Sequence, residues 1–252
     1  MGTGFRIRSC ARKYNMRVVV TRPEADSERT AAALRARGHT VLVAPLLRVE
    51  PVAADFSGGW SGVIVTSANA LGAIAAHAAR DKLIKLPLFA VGERSAEAAR
   101  AVGFANVTSA DGDVHDLARL IAARRADKAA PLLYLAGADR ATDMAAELVA
   151  HGIAAEMVIV YRAVTAPFPP ALTAALEAGK VDAVLHFSRR SADNYIAGAA
   201  QAGVAAQAMA VRHLCLSAQI AEPLAQAGAS QVAIAKRPDE AALIALLEPA
   251  KA

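Results

Sequence analysis

The sequence predicts an α/β protein of two similar domains, each with a five-stranded parallel sheet, joined by a two-stranded linker. Two observations carry this. A unit of strand, polar turn and helix occurs twice, as VIVTSANALGAI at Val63 to Ile74 and as VLHFSRRSADNYI at Val184 to Ile196, with Ser188 lying 121 positions after Ser67. Around both copies, apolar strand patterns alternate with helical ones, the grammar of an open parallel sheet of the flavodoxin or Rossmann-like kind. In each copy the strand is apolar at almost every position, as a parallel strand covered by helices on both faces requires. Ser67 or Asn69 is placed to cap the helix that follows.

Taken in order, Arg17 to Val20 is the first strand and Thr21, Arg22 and Pro23 form its turn. The helix after it stops at Arg35, Arg37 and Gly38, basic residues in a last turn followed by glycine. Val41 to Ala44 is a second strand, and PLLRVEP (45–51) then runs extended between two prolines as a crossing. From Val63, five strands are read at Val63 to Thr66, Leu88 to Val91, Val107 to Thr108, Leu132 to Leu135 and Ala155 to Val158. Helices lie between them at Ala68 to Ala79, Ser95 to Ala101, Val114 to Arg125 and Ala141 to Ala150. VIVYRAV (158–164) leads away as a second crossing. Strands at Ala183 to Phe187, His213 to Leu216 and Gln231 to Ile234 follow, with helices at Ala171 to Ala178, Arg189 to Ala202, Ala218 to Ala227 and Asp239 to Leu247.

Three strands make a small sheet, but the two at the start of the chain bring it to five. Domain 1 is therefore expected to be discontinuous, 16–45 with 166–252, with domain 2 inserted at 52–158 and linker strands at 46–51 and 159–165. Internal similarity supports this: AVGERSAEAARAVG aligns with CLSAQIAEPLAQAG at an offset of 125, and LLYLAGADRATDMAAELVAHG aligns with VVVTRPEADSERTAAALRARG at an offset of 114. The two crossings run opposite ways and are expected to pair as a hinge.

Composition narrows the function classes. With 55% hydrophobic and 20% charged residues the chain is globular. No uncharged apolar run approaches the roughly 20 residues of a membrane span. The net charge of +5 is a property of the N-terminal tail: without Arg6, Arg8, Arg12 and Lys13, 24 basic residues face 23 acidic ones, which weakens a nucleic-acid reading. Residues 1–15 read as an unstructured extension ahead of Met16 rather than a secretory signal. Cys10 and Cys215 offer no disulfide framework, the six histidines form no HExxH or compact cluster, and a reducing cytoplasm with no metal is expected.

In doubly wound sheets ligands bind beyond the carboxyl ends of the strands, where helix N-termini favour anions. Those positions hold Thr21 and Arg22, Ser67, Ala68 and Asn69, Gly92 to Ser95, Gly137 to Arg140, Ser188 and Arg189, and Ser217. Nearly all are small and polar. Two such rims facing each other across a hinge would suit a ligand with several carboxylates or phosphates. No GxGxxG, GxxxxGK[ST] or GxSxG is present, so dinucleotide, P-loop and serine-hydrolase readings lack their motifs. His186 and Cys215 read as core, and Tyr161 lies on a crossing strand where its phenol could either reach the cleft or pack the hinge.

In their order, VVVTRPE, PLLRVEP, VIVTSANAL, FAVGERSAEAA with GF, LYLAGADR, VYRAV and VLHFSRRSADNY resemble the uroporphyrinogen-III synthase family from Met16 onward. The resemblance implies two five-stranded domains on a two-stranded linker, an active site in the cleft, and no cofactor. It implies cyclisation of hydroxymethylbilane to uroporphyrinogen III, with loss of water through an azafulvene and inversion of ring D through a spiro intermediate. The family's tyrosine, which assists departure of the hydroxyl, falls on Tyr161, and its cleft hydroxyls on Ser67 and Ser95. The discontinuous domain 1 departs from the family turn, with Ser217 in place of glycine and Ile220 in place of threonine. The remaining expectations are a monomer, no nucleic-acid or membrane partner, and at most transient contact with hydroxymethylbilane synthase. The alternatives are a two-domain anion-binding protein without chemistry and a nucleotide-sugar glycosyltransferase.

Overall fold

The computed structural model describes residues 15–124, 130–139 and 141–248. The expected extension lies outside them except for Asn15, and so do Arg125 and Arg140. Within these residues the chain runs β1 (Arg17–Val20), α1 (Glu24–Ala36), β2 (Thr40–Val43), β3 (Leu47–Pro51), β4 (Val63–Val65), α2 (Ala68–Ala75), α3 (Arg80–Leu83) and β5 (Leu88–Ala90). Next come α4 (Glu93–Val102), β6 (Val107–Ser109), α5 (Val114–Arg124), β7 (Leu132–Gly137), α6 (Ala141–Ala150) and β8 (Ala155–Thr165). The last part is α7 (Pro170–Glu177), β9 (Ala183–His186), α8 (Arg189–Gln201), α9 (Ala205–Ala210), β10 (Arg212–Cys215), α10 (Ala218–Gln226), β11 (Val232–Ile234) and α11 (Glu240–Ala245). No helix among the described residues is long and apolar enough to cross a membrane.

The residues divide into two compact units. Of the described residues, those up to Arg48 and from Thr165 onward form the first, and those within Val49–Val164 form the second. In the first unit five strands lie in the order β11-β10-β9-β1-β2, every neighbouring pair parallel. Alternation along β1 shows how the sheet is covered: Val19 enters one apolar cluster with Leu172, Tyr195 and Leu224, while Val18 and Val20 enter another with Leu34, Leu185 and Leu243. Each fully buried valine or leucine contributes roughly 1.5–3 kcal/mol, so both faces are needed.

The second unit has a sheet of six strands, β3-β8-β7-β4-β5-β6, not the five expected. The additional strand is the first crossing segment. The second crossing segment is not separate from the sheet either: β8 runs unbroken from Ala155 to Thr165, because AEMVIVYRAVT holds no glycine or proline to interrupt it. Val63 and Val65 of β4 pack with Trp60, Leu71 and Leu88, and Ile64 packs on the opposite face with Leu117, Ile121 and Tyr134.

Two helices differ from expectation. The helix expected over Ala68 to Ala79 stops at Ala75, where His77 Nδ1 accepts the Ala79 N–H at 3.0 Å and a short α3 begins. An unexpected α9 follows α8 because Gly203, at φ 75, ends one helix and the alanine-rich run behind it starts another.

Helix α8 seats Phe168 over Gly198, where an added Cβ would lie 2.4 Å from Phe168 Cδ2 and 2.9 Å from its Cβ. Gly198→Ala is expected to lower unfolding free energy by about 1–2 kcal/mol, since overpacking costs more than alanine's helix preference returns. Urea denaturation checks this, and an unchanged or higher midpoint would contradict the packing.

Candidate active site

In the second unit, sequence and register combine to build a rim at the carboxyl end of the sheet. Val65 of β4 pairs with Ala90 of β5 and with Leu135 of β7. Ser67, Gly92 and Gly137 each lie two residues beyond those paired positions, so three neighbouring strands deliver them side by side. Ser67 is the N-cap of α2, and its Oγ accepts the Asn69 N–H at 3.2 Å. Gly92 is the N-cap of α4 and makes no side-chain cap bond. Ser95, in the first turn of α4, is 5% exposed. Ala68 and Asn69 are half-buried beside it on the rim. Among residues not singled out from sequence, Thr66 Oγ1 lies 3.2 Å from the hydroxyl of Tyr134. The aromatic residue in the otherwise aliphatic LLYLAG strand was the available signal.

Tyr161 joins this rim through an irregularity. Leu135 pairs with Val158 and Ala136 with Ile159, but Gly137 pairs with Tyr161, so the register slips by one residue. The Ala138 N–H donates to the Tyr161 carbonyl at 3.0 Å and fixes the slipped strand. The half-buried ring lies against Gly137 and packs with the cluster containing Val65, Leu135 and Val160.

The first unit presents a second rim. Cys215 pairs with His186, and Ser217 and Ser188 lie two residues beyond them on adjacent strands. Ser188 caps α8, with its Oγ accepting the Ser191 N–H at 3.2 Å and donating to Ser191 Oγ at 3.0 Å. Ser217 is the N-cap of α10 without a side-chain cap bond.

Three expected ligand-binding side chains have partners within the unit. Thr21 is fully buried and donates its hydroxyl to the Leu185 carbonyl at 2.9 Å, holding β1 to β9. Arg22 meets Glu240 at 3.0 Å and Asp26 at 3.3 Å, with Phe187 stacked 4.4 Å from the guanidinium, so its charge is already neutralised. Arg189 is exposed but pairs with Glu222 at 2.6 Å, and this contact raises its pKa above the ordinary arginine value. Behind the rim, His186 and Cys215 are core, as expected, with the Cys215 thiol pushed by burial up to about 12, and His213 is fully buried beside His186. No group of three or more His, Cys, Asp or Glu among the described residues could hold a metal ion.

Each unit thus presents a rim of helix N-termini at the carboxyl end of its sheet, and the second unit's rim adds one phenol. A family model described as uroporphyrinogen-III synthase HemD matches residues 28–245. The chain belongs to the uroporphyrinogen-III synthase family. It is therefore an enzyme, a cyclising lyase of porphyrin and heme biosynthesis, and hydroxymethylbilane fits as its substrate. Membership does not favour the anion-binding or glycosyltransferase alternatives. Among solved structures, the uroporphyrinogen-III synthetase of Helicobacter pylori is similar in fold, with a TM-score of 0.61 at 16% identity over 92% of this chain and 98% of that one. A uroporphyrinogen III synthase mutant of Thermus thermophilus aligns with a TM-score of 0.46 at 17% identity, over 92% of this chain and 97% of that one. No curated protein matches the chain.

Proposed function

We propose that the chain cyclises hydroxymethylbilane to uroporphyrinogen III by holding the bilane's carboxylates at its helix N-termini while the Tyr161 phenol protonates the departing hydroxyl. That hydroxyl leaves as water, the adjacent pyrrole nitrogen supplies the electrons and gives up its proton, which restores the phenol, and the azafulvene so formed is attacked by the substituted carbon of ring D. The spiro intermediate then fragments and recloses with ring D inverted. Positioning alone supplies roughly 7–11 kcal/mol in favourable intramolecular reactions, so a site made mostly of backbone donors suffices.

The observation that carries this reading is the row of Gly137, Ser67 and Gly92 on adjacent strands with Tyr161 against its end. Helices α4 and α10, capped by no side chain, are the stronger anion sites, and the serine-capped turns at Ser67 and Ser188 are the weaker ones. Ala68, Asn69, Ser95 and Ser217 complete the contacts. Arg189 exchanges Glu222 for a substrate carboxylate. The reading includes a monomer acting in the cytoplasm without cofactor, receiving the bilane from hydroxymethylbilane synthase by transient contact.

Gly92→Asp tests the carboxylate site. An added Cβ meets nothing within 4 Å and φ is −150°, so aspartate fits and caps α4 itself. Stability is expected to hold or rise slightly. The new carboxylate takes the place of the substrate's, so KM rises roughly tenfold or more, the value of a lost charge-assisted hydrogen bond. A stable variant with unchanged KM would remove α4 from the binding site.

A further inference from the structure

Alternation along β8 predicts that Tyr161 shares a face with Ile159, which packs against the cluster of Tyr134, Leu117 and Met144. Tyr161 instead packs on the opposite face, with Val158 and Val160 and the cluster containing Val65 and Leu135. The register slip between Ala136 and Gly137 is what turns it over. That face is the one on which Leu133 and Leu135 project from β7, and Gly137, two residues further, continues the row without a side chain.

The ring occupies that gap. A Cβ on Gly137 would stand 2.4 Å from Tyr161 Cζ, 2.6 Å from its hydroxyl oxygen and 2.7 Å from Cε2, far inside a van der Waals contact of roughly 3.5–4 Å. The crowded atoms are the hydroxyl-bearing end of the ring. Gly137 is not among the glycines at positive φ, so its backbone conformation does not require glycine, and the demand comes from the ring alone.

We propose that Gly137 is a positioning residue for Tyr161, the floor on which the phenol is seated, rather than a substrate contact. This rests on the reading of Tyr161 as the proton donor. Any side chain at 137 lifts the hydroxyl from its place, and displacement of an acid by about an ångström costs rate steeply.

A double-mutant cycle tests it, using Gly137→Ala, Tyr161→Phe and the pair, with turnover of hydroxymethylbilane, KM and urea midpoint measured for each. Gly137→Ala alone is expected to lower kcat roughly tenfold with KM within twofold and an unchanged far-UV spectrum. In the Tyr161→Phe background the same change is expected to alter kcat by less than about twofold, because the ring still moves but no hydroxyl is left to misplace. As a measurement independent of turnover, the ultraviolet difference between the Tyr161 and Tyr161→Phe proteins is expected to shift when Gly137 becomes alanine. Equal loss in both backgrounds would overturn the proposal, since the glycine would then act without the phenol, and wild-type kcat in Gly137→Ala would overturn it as well. Unchanged kcat in Tyr161→Phe alone would instead refute the underlying role of the phenol, an outcome read separately from the other two.

Discussion

Acidification from about pH 7.5 to about pH 5 is expected to destabilise the first unit well before carboxylates begin to titrate. His186 and His213 are both fully buried, with His186 Nε2 3.0 Å from His213 Nδ1. Tyr195 stacks edge-on against them at 5.3 and 5.7 Å, and Cys215 stands across from His186. One neutral ring donates to the other, while His186 Nδ1 and His213 Nε2 have no hydrogen-bond partner. Burial lowers both pKa values, that of His213 to about 4, and repulsion from His213 adds to the lowering of His186.

Since the unfolded histidines titrate near their ordinary value of about 6.5, nothing is lost above it: both states are neutral. Below it the unfolded chain takes up protons that the fold refuses, and stability falls by about 1.4 kcal/mol per pH unit for each histidine. His213 alone removes about 3 kcal/mol by the time the pH nears 4.5, a large part of a typical domain's stability, and His186 acts in the same direction. Urea midpoints followed by circular dichroism check this. The single tryptophan, Trp60, belongs to the second unit, so ellipticity lost ahead of its fluorescence change locates the event in the first. The double variant His186→Leu with His213→Leu removes both partners together and is expected to flatten the pH dependence. A wild-type midpoint constant down to about pH 5 would contradict the account.

Tyr161→Phe is expected to lower kcat roughly 10²-fold, the lower end of what a positioned acid contributes, with little change in KM or stability. The ring keeps its packing with Val160 and Leu135, and only the hydroxyl is lost. The product is expected to remain the type III isomer. In the proposed reading, inversion of ring D follows from how the bilane is held, and the helix N-termini proposed to hold it are untouched by this change. Wild-type kcat would deny the phenol its part, and a type I product would mean that Tyr161 governs geometry rather than proton transfer.

What could be read in the chain followed from local signals. VIVTS and VLHFS announced buried parallel strands followed by capped helices, and Ser67 and Ser188 do cap α2 and α8. Gly38, at φ 90, punctuated a helix that ends at Ala36. The two crossing segments were expected to pair, and β3 does neighbour β8; what was not legible is that the second of them continues the strand begun at Ala155 without a break, which carries β3 into the sheet as a sixth strand. Nor were the partners of Arg22 and Arg189: Glu240 lies 218 residues beyond Arg22, and Glu222 reaches Arg189 from another helix. Thr21 looked like a rim residue because strand ends and strand interiors share their chemistry, and only the bond to Leu185 separates them. The slip that turns Tyr161 leaves no trace in VIVYRAV, since each residue of that run suits either face.

The most direct test of the central claim supplies freshly made hydroxymethylbilane to the protein, oxidises the products and separates the type I and type III isomers. The bilane closes unaided to type I, so the isomer ratio distinguishes catalysis from background. The account predicts product enriched in type III, formed faster than the uncatalysed reaction. Type I alone, formed at the uncatalysed rate, would contradict it.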